Sequence, residues 1–247
     1  MAMSGYLGLE ARWHDLFWEA EKGADEGPLL ADFLGAVEGE TLYVGSGSGR
    51  LLGPLVAAGY SITGLEVSED MVSMSRARFP KARVLQQAWQ DHESEKGYAA
   101  VVIPAFTFQL LSHPERQLER LREQSGRLYL TLFFPWAEIS GDLPANRWYF
   151  DREIGLPDGG KGLLETRHRL RQQNGRLVRK HRYTRKDASG QVVEREETGQ
   201  DLRFFTDVVL KTMFANTGWT IEREIDNLGE GDEGDLVDVA TFWLRAT

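Results

Sequence analysis

The chain has 247 residues, of which 41% are hydrophobic, and it contains no cysteine. This length suits one large α/β domain with an insertion, and the lack of thiols excludes disulfides and thiolate metal sites. The formal net charge is −9, whereas nucleic-acid binding depends on a concentrated positive surface. The composition therefore makes DNA and bulk RNA poor substrates.

The N-terminal segment 1–18 carries Glu10, Arg12 and Asp15, where a secretory signal would need an uninterrupted apolar stretch. The longest apolar-looking segment, 98–111, contains a proline and is too short to span a bilayer. We therefore expect a soluble, cytoplasmic protein with no membrane partner.

Two helices are predicted at the start of the chain. Residues 9–21 place Trp13 and Phe17 at helical spacing, and Pro28 suits the first turn of a second helix. Together they predict an N-terminal helical lid over residues 1–38. His14, on the first helix, is a candidate general base because histidine titrates near neutral pH, although a surface histidine without a function is the commoner outcome.

The stretch TLYVGSGSGR, residues 41–50, places three glycines within five residues directly after an apolar run. The run predicts a strand, and the leucine spacing that follows predicts a helix. A glycine-rich turn between a strand and a helix lets the main chain approach a ligand closely. A second strand predicted over 61–67 contains Glu66, whose carboxylate can accept hydrogen bonds from both hydroxyls of a ribose. The stretch therefore predicts a nucleoside site.

A nicotinamide dehydrogenase would have the fingerprint G-x-G-x-x-G. Arg50 stands at the sixth position here, so the glycine that lets the helix close beneath a pyrophosphate is missing. A nucleoside without phosphates is favoured, and the dehydrogenase remains a distant alternative.

From Thr41 to Pro135 the sequence resembles the class I S-adenosylmethionine-dependent methyltransferases, specifically their small-molecule branch. The glycine triplet, its helix, Glu66 and the helix SEDMVSMSRARF occur in the order of that family. The resemblance implies a Rossmann-like, seven-stranded methyltransferase sheet, with S-adenosylmethionine as cofactor and S-adenosylhomocysteine as product. The residues implied to bind the cofactor are Gly45, Ser46, Gly47, Gly49, Glu66, Val67, Gln87, Ala88, Trp89 and Pro104.

Within this set, the resemblance implies that Gln87 accepts a hydrogen bond from the adenine amino group and that Trp89 faces the adenine ring. The family usually has an acidic residue at the position of Tyr43, where it helps to hold the methionine ammonium group, and often an aspartate at the position of Ala99. The replacement of both acids leaves a second hypothesis open, namely a non-catalytic S-adenosylmethionine-binding protein of the same fold.

The pattern changes after the fifth predicted strand. Antiparallel hairpins are predicted over 148–203 as an insertion that caps the acceptor, between the core segments 39–147 and 204–247. A two-residue turn at Asn174-Gly175 would place His168 opposite His181. The helix that follows the insertion is predicted to begin with Thr206 as its N-cap.

Methyl transfer from a sulfonium requires an acceptor lone pair held against the methyl group in a dry pocket, so no fixed catalytic triad is expected. The candidates for contacting the acceptor, an O, N or S atom of a small molecule, are His14, Tyr149, His181 and Tyr183. His181 and Tyr183 share one face of the predicted hairpins, and we expect this face to point toward the methyltransferase core. A metal site of His168, His181 and Glu196 would need a particular register and is disfavoured, so no metal is predicted.

Overall fold

The computed structural model describes residues 6–20, 25–232 and 234–247. The chain divides into two compact units: residues 1–23 with 135–204 form the first, and residues 24–134 with 205–247 form the second. The first unit therefore contains a long segment inserted between two parts of the second.

The helices are numbered along the chain. They are α1 (Gly8–Ala20), α2 (Gly27–Gly35), α3 (Leu52–Ala57), α4 (Glu69–Arg78), α5 (Pro114–Gln124), α6 (Trp136–Ser140) and α7 (Asp207–Asn216). The predicted cap of the last helix is confirmed, since the Thr206 side chain accepts from the main-chain N–H of Val209. Within the described ranges, no helix has both the length and the apolar character needed to cross a membrane.

The strands are numbered in the same way. They are β1 (Thr41–Val44), β2 (Ile62–Glu66), β3 (Arg83–Gln86), β4 (Ala100–Ile103), β5 (Arg127–Phe133), β6 (Tyr149–Gly155), β7 (Lys161–Arg171), β8 (Arg176–Lys186), β9 (Val192–Arg203), β10 (Trp219–Asp226) and β11 (Val239–Ala246). The second unit has one seven-stranded sheet in the order β10-β11-β5-β4-β1-β2-β3. The predicted seven-stranded α/β architecture is confirmed.

The central strands of this sheet are buried on both faces. Every residue of β1 and β4 is buried, as expected for parallel strands covered by helices on each side. Alternate residues feed two cores: Leu42 and Val101 pack on one side of the sheet, and Tyr43, Val102 and Tyr129 pack on the other. This burial holds the strand ends, and the loops that follow them, in fixed positions.

The order of the strands reverses between β1 and β4. From β1 the chain continues to β2 and β3 on one side, whereas β4 pairs with β1 on the other side. In open α/β sheets a ligand crevice forms outside the carboxyl ends of the strands at this switch point. The glycine loop follows β1 and the loop at Pro104 follows β4, so both border this position.

The first unit contains a four-stranded antiparallel sheet in the order β6-β7-β8-β9. Helix α1 packs on one face of it through Leu9, Trp13 and Phe17, which form an apolar cluster with Leu164 and Tyr183. The predicted antiparallel hairpins are therefore present, and α1 completes their core.

The predicted two-residue turn between β7 and β8 is wrong. A 3₁₀ turn spans Gln172–Asn174, and the terminal pair is Arg171 with Arg176. Thr166 therefore lies opposite His181. The pairing differs from the prediction by two residues, and because side chains alternate with a period of two, the predicted faces are retained.

The register also decides the hypothetical metal site. Glu196 lies opposite Tyr183, and the residue opposite His181 on β9 is Thr198. The described residues include no group of three or more potential metal ligands.

Candidate active site

The glycine loop after β1 is the first component of the site. Gly45, Gly47 and Gly49 have φ angles of 73°, 55° and 83°, which favour glycine. A Cβ atom on Gly45 would meet the Thr107 side chain, and one on Gly49 would meet the Phe79 ring, whereas one on Gly47 would have no atom within 4 Å. The outer two glycines are therefore required by packing, and Gly47 borders open space into which a ligand can fit.

Glu66, the last residue of β2, faces the same loop. Its carboxylate accepts hydrogen bonds from the main-chain N–H groups of Gly47, Val67 and Ser68 at 2.9, 2.8 and 2.8 Å. A carboxylate offers about four acceptor positions, so three main-chain donors leave roughly one for a ligand hydroxyl. The carboxylate is thus fixed in one orientation beside the open space at Gly47.

Trp89, which follows β3, belongs to the hydrophobic core. Its ring is only 3% exposed, its indole N–H donates to Gln117 at 2.9 Å, and the Arg120 guanidinium lies 5.1 Å from its ring centre. These contacts leave almost no ring surface for a ligand, which corrects the prediction that Trp89 faces adenine.

Gln87 keeps an accessible position at the end of β3. Its amide nitrogen donates to the main-chain carbonyl of Asp91 at 2.7 Å, and its oxygen lies 3.1 Å from Nδ1 of His92. Burial lowers the pKa of His92, so the imidazole is neutral at pH 7. These bonds orient the amide, and the adenine-binding role of Gln87 and the adjacent Ala88 stays a prediction.

The loop after β4 has an unusual backbone. Ala105 and Phe106 follow Pro104 and have φ angles of 50° and 64°, a left-handed conformation that is uncommon for residues other than glycine. Such strain persists only where surrounding contacts hold it, often at functional sites. The Ala105 N–H donates to a carboxylate oxygen of Glu26 at 3.0 Å, which is one of those contacts.

Glu26 was missed by sequence reasoning because it lies in a polar break without periodicity. Its side chain is 6% exposed, and its carboxylate also accepts from the hydroxyls of Tyr129, at 3.1 Å, and of Thr131. Burial raises its pKa, an effect that these hydrogen bonds and the charge of Arg50 oppose. A second carboxylate therefore lies at the switch point.

A polar row crosses the four-stranded sheet of the first unit, where Tyr149, Thr166 and His181 are successive cross-strand neighbours. The Thr166 hydroxyl donates to Asp151 at 2.6 Å. Because that hydroxyl has one proton, it accepts from Nδ1 of His181, 3.0 Å away. Burial lowers the pKa of His181 to about 4, an effect that a hydrogen bond with the Gln200 side chain opposes, so the ring is neutral at pH 7.

His168 lies on the same face, opposite Arg179, which pairs with Glu138. It is 1% exposed, and neither of its ring nitrogens has a hydrogen-bond partner among the residues that the structure describes. The Tyr149 ring lies 6.0 Å away, in an edge-on arrangement. Buried polar atoms usually have a partner, which can be another protein group or an ordered water.

The other two predicted catalytic residues have local partners. Tyr183 packs edge-on against Trp13, and its hydroxyl lies 3.4 Å from Glu10. His14 is half-buried, with Nδ1 2.9 Å from the Asp15 carboxylate. The structure thus places Tyr183 in the interface with α1, which corrects the prediction that its hydroxyl contacts an acceptor, and places the Asp15 carboxylate within hydrogen-bond distance of His14.

Glu10 provides a test of this interface through pH. Burial raises its pKa to about 7, although hydrogen bonds from Tyr183 and Gln200 oppose the shift. A carboxyl group whose pKa is raised on folding stabilises the protein fully when the pH is below the pKa that the group has in the unfolded chain. This stabilisation is lost as the pH rises through the pKa of the group in the folded protein. We expect Glu10→Gln to increase the free energy of unfolding by about 1–3 kcal/mol at pH 8 and to have little effect at pH 4.

Urea unfolding at both pH values measures this difference. The exposed Glu19→Gln serves as the control and should leave the pH dependence unchanged. A Glu10→Gln curve parallel to that of the wild type would show that the carboxyl titrates normally.

The sheet order, the glycine loop and Glu66 define a nucleoside-binding α/β protein. A family model described as a methyltransferase domain matches residues 42–124, the segment that carries these features. Over this segment the chain is similar to a methyltransferase domain, and its fold is that of the class I S-adenosylmethionine-dependent methyltransferases. No significant match was found among curated protein sequences.

Solved structures share the fold along nearly the whole chain, and two of the three that follow are described as methyltransferases. An S-adenosylmethionine-dependent methyltransferase from Clostridium acetobutylicum has a TM-score of 0.76 at 10% identity, covering 96% of this chain and 97% of its own. DesVI of Streptomyces venezuelae has a TM-score of 0.72 at 18% identity, and the match covers 98% of this chain and 100% of DesVI. CalS10, an amino pentose methyltransferase from Micromonospora echinaspora, has a TM-score of 0.70 at 18% identity, and the match covers both chains fully.

The residues of the second unit fit S-adenosylmethionine. The open space beside Gly47 admits a ligand, Glu66 is fixed at the end of β2 with an acceptor position available for a ribose hydroxyl, and Glu26 adds a second, buried carboxyl group. The cofactor is cationic at its sulfonium and ammonium groups, so carboxylates complement it.

Proposed function

We propose that the chain transfers a methyl group from S-adenosylmethionine to an O, N or S atom of a small molecule, and that the first unit binds this acceptor. The observation that carries the proposal is the buried polar row with the partnerless ring nitrogens of His168. Nitrogen is the favoured acceptor atom, because similar structures include an amino pentose methyltransferase and a sugar N-methyltransferase. The acidic net charge favours a small molecule over a nucleic acid.

In this mechanism the cofactor supplies an electrophilic methyl group on sulfur. Gly47 and Glu66 hold the nucleoside. Tyr149 donates or accepts a hydrogen bond to orient the acceptor, while the buried His168 and His181, the latter hydrogen-bonded to Thr166 and Gln200, hold the polar row in place. With a pKa of about 4, His181 is a weak base at pH 7, so its contribution is orientation of the polar row rather than storage of the proton.

A non-catalytic binding protein is the alternative, and the buried Tyr43 is the observation that favours it. Turnover separates the two functions. Release of S-adenosylhomocysteine in a screen of amino sugars, other amines, phenols, thiols and carboxylates would establish the enzyme. Cofactor binding without any release would favour the alternative.

Once an acceptor is known, we expect His168→Leu to lower kcat/KM for it by about tenfold or more, because one buried polar contact is worth roughly 1–3 kcal/mol. S-adenosylhomocysteine affinity, measured by calorimetry, should stay within about twofold. Tyr183→Phe is the matched control on the same sheet and should retain most of the activity. Unchanged kcat/KM in His168→Leu, or a parallel loss of cofactor affinity, would contradict the assignment.

A further inference from the structure

We propose that Glu26 binds the ammonium group of the methionine part of S-adenosylmethionine and supplies the negative charge that Tyr43 does not provide. The proposal rests on the cofactor assignment and is independent of the acceptor. It concerns a residue outside the segment that the methyltransferase family model matches.

The first argument is position. Glu26 lies directly before α2, yet its carboxylate reaches the sheet at Tyr129 and Thr131 of β5 and the main chain of Ala105 after β4. β4 lies between β5 and β1, and the Ala105 loop contains the strained residues at the switch point. The carboxylate therefore lies beside the crevice that the loops after β1 and β4 border.

The second argument is the local chemistry at β1. The residue next to Val44 and the glycine loop is Tyr43, which is 2% exposed. Burial raises the pKa of Tyr43, and the negative charge of Glu26 raises it further, so the phenol stays neutral. A neutral phenol cannot balance an ammonium group, whereas the nearby Glu26 carboxylate can.

The third argument is that the carboxylate has no capping role in its own helix. Glu26 is the N-cap residue of α2, but its side chain makes no capping hydrogen bond there. Its hydrogen bonds with the described residues come from two hydroxyls and one main-chain N–H, which are neutral donors. Burying a carboxylate is unfavourable unless a cation balances it, and the ammonium of the ligand adds a cation to the one that Arg50 provides.

Two probes that differ in the amino-acid end of the ligand test this contact. S-adenosylhomocysteine carries the amino-acid end, whereas 5′-methylthioadenosine has the same nucleoside and a thioether but no amino acid. We expect Glu26→Gln, which keeps the shape and removes the charge, to weaken S-adenosylhomocysteine binding by about tenfold or more and 5′-methylthioadenosine binding by less than about twofold in calorimetry.

Tyr129→Phe is the matched control, because it removes one neutral donor to Glu26 and leaves the charge. It should lower thermal stability while keeping the ratio of the two affinities close to that of the wild type. If Glu26→Gln does not fold, Glu26→Asp retracts the carboxylate by one methylene. This variant should still weaken the binding of S-adenosylhomocysteine more than that of 5′-methylthioadenosine.

Equal losses for both probes, or no loss for either, would overturn the proposal and leave Glu26 a structural residue. A wild-type protein that binds neither probe would overturn the cofactor assignment and the proposal with it. Selective loss in a stable variant would support both.

Discussion

Glu66→Ala should weaken S-adenosylhomocysteine binding by about a hundredfold or more. A charge-assisted hydrogen bond contributes roughly 1.5–3 kcal/mol, and the variant loses the acceptor for a ribose hydroxyl. It also removes the group that holds the N–H groups of Gly47, Val67 and Ser68, so the loop loses the fixed geometry that binding needs. Calorimetry with S-adenosylhomocysteine and with 5′-methylthioadenosine should show the loss for both ligands, because both contain the ribose.

Glu69→Ala is the matched control. Glu69 is an exposed acid in the first turn of α4, three residues after Glu66, and its removal should leave both affinities within about twofold of the wild type. An unchanged dissociation constant in Glu66→Ala would remove the nucleoside-binding role from this carboxylate.

Gly47→Val should abolish measurable binding of S-adenosylhomocysteine at micromolar concentrations. The new side chain would fill the open space beside the loop, which has no atom within 4 Å of a Cβ atom at this position. The left-handed φ of 55° adds a strain of about 1–2 kcal/mol, so the variant should fold with a lower melting temperature. Circular dichroism and calorimetry on the same preparation separate the two effects.

Gly59→Val provides the control for strain. Gly59 also has a left-handed φ, of 98°, and a Cβ atom there would likewise meet no atom within 4 Å, but it lies in the turn after α3. We expect a comparable loss of stability with normal affinity. Normal binding by Gly47→Val would show that the glycine loop serves only as a turn.

Where neighbouring residues in the chain determine the structure, the sequence was sufficient to predict it. An apolar run, three glycines and a leucine-spaced helix predict β1, its loop and α3, because a strand, a turn and a helix each have a local pattern. Glu66 follows from the same reasoning, since it ends the next strand and meets the loop through main-chain N–H groups.

Where residues far apart in the chain determine the structure, the sequence alone did not predict it correctly. The turn between β7 and β8 was predicted with the shortest geometry, but Gln172 and Gln173 join Asn174 in a 3₁₀ turn. The number of residues in a turn depends on how the strands pack as well as on its sequence. The faces were still correct because the error was an even number of residues.

Contacts between distant residues also explain why the prediction for Trp89 was wrong and why Glu26 was missed. An aromatic ring after β3 can cover a ligand or fill a core, and Gln117 and Arg120, about 30 residues away in the sequence, decide that it fills the core. Glu26 acquires its surroundings from residues such as Thr131, which is 105 positions away. Such long-range contacts leave no local pattern in the sequence.

The division of the first unit between two distant stretches of chain also affects how the protein forms during synthesis. Helix α1 emerges from the ribosome well before Leu164 and Tyr183, the strand residues that cover its apolar face. At roughly 5–20 residues per second, about 160 intervening residues take on the order of 8–30 s. During that interval Trp13 and Phe17 lack those native partners, so the nascent chain exposes an aromatic surface to chaperones until the last strands of the insertion have been made.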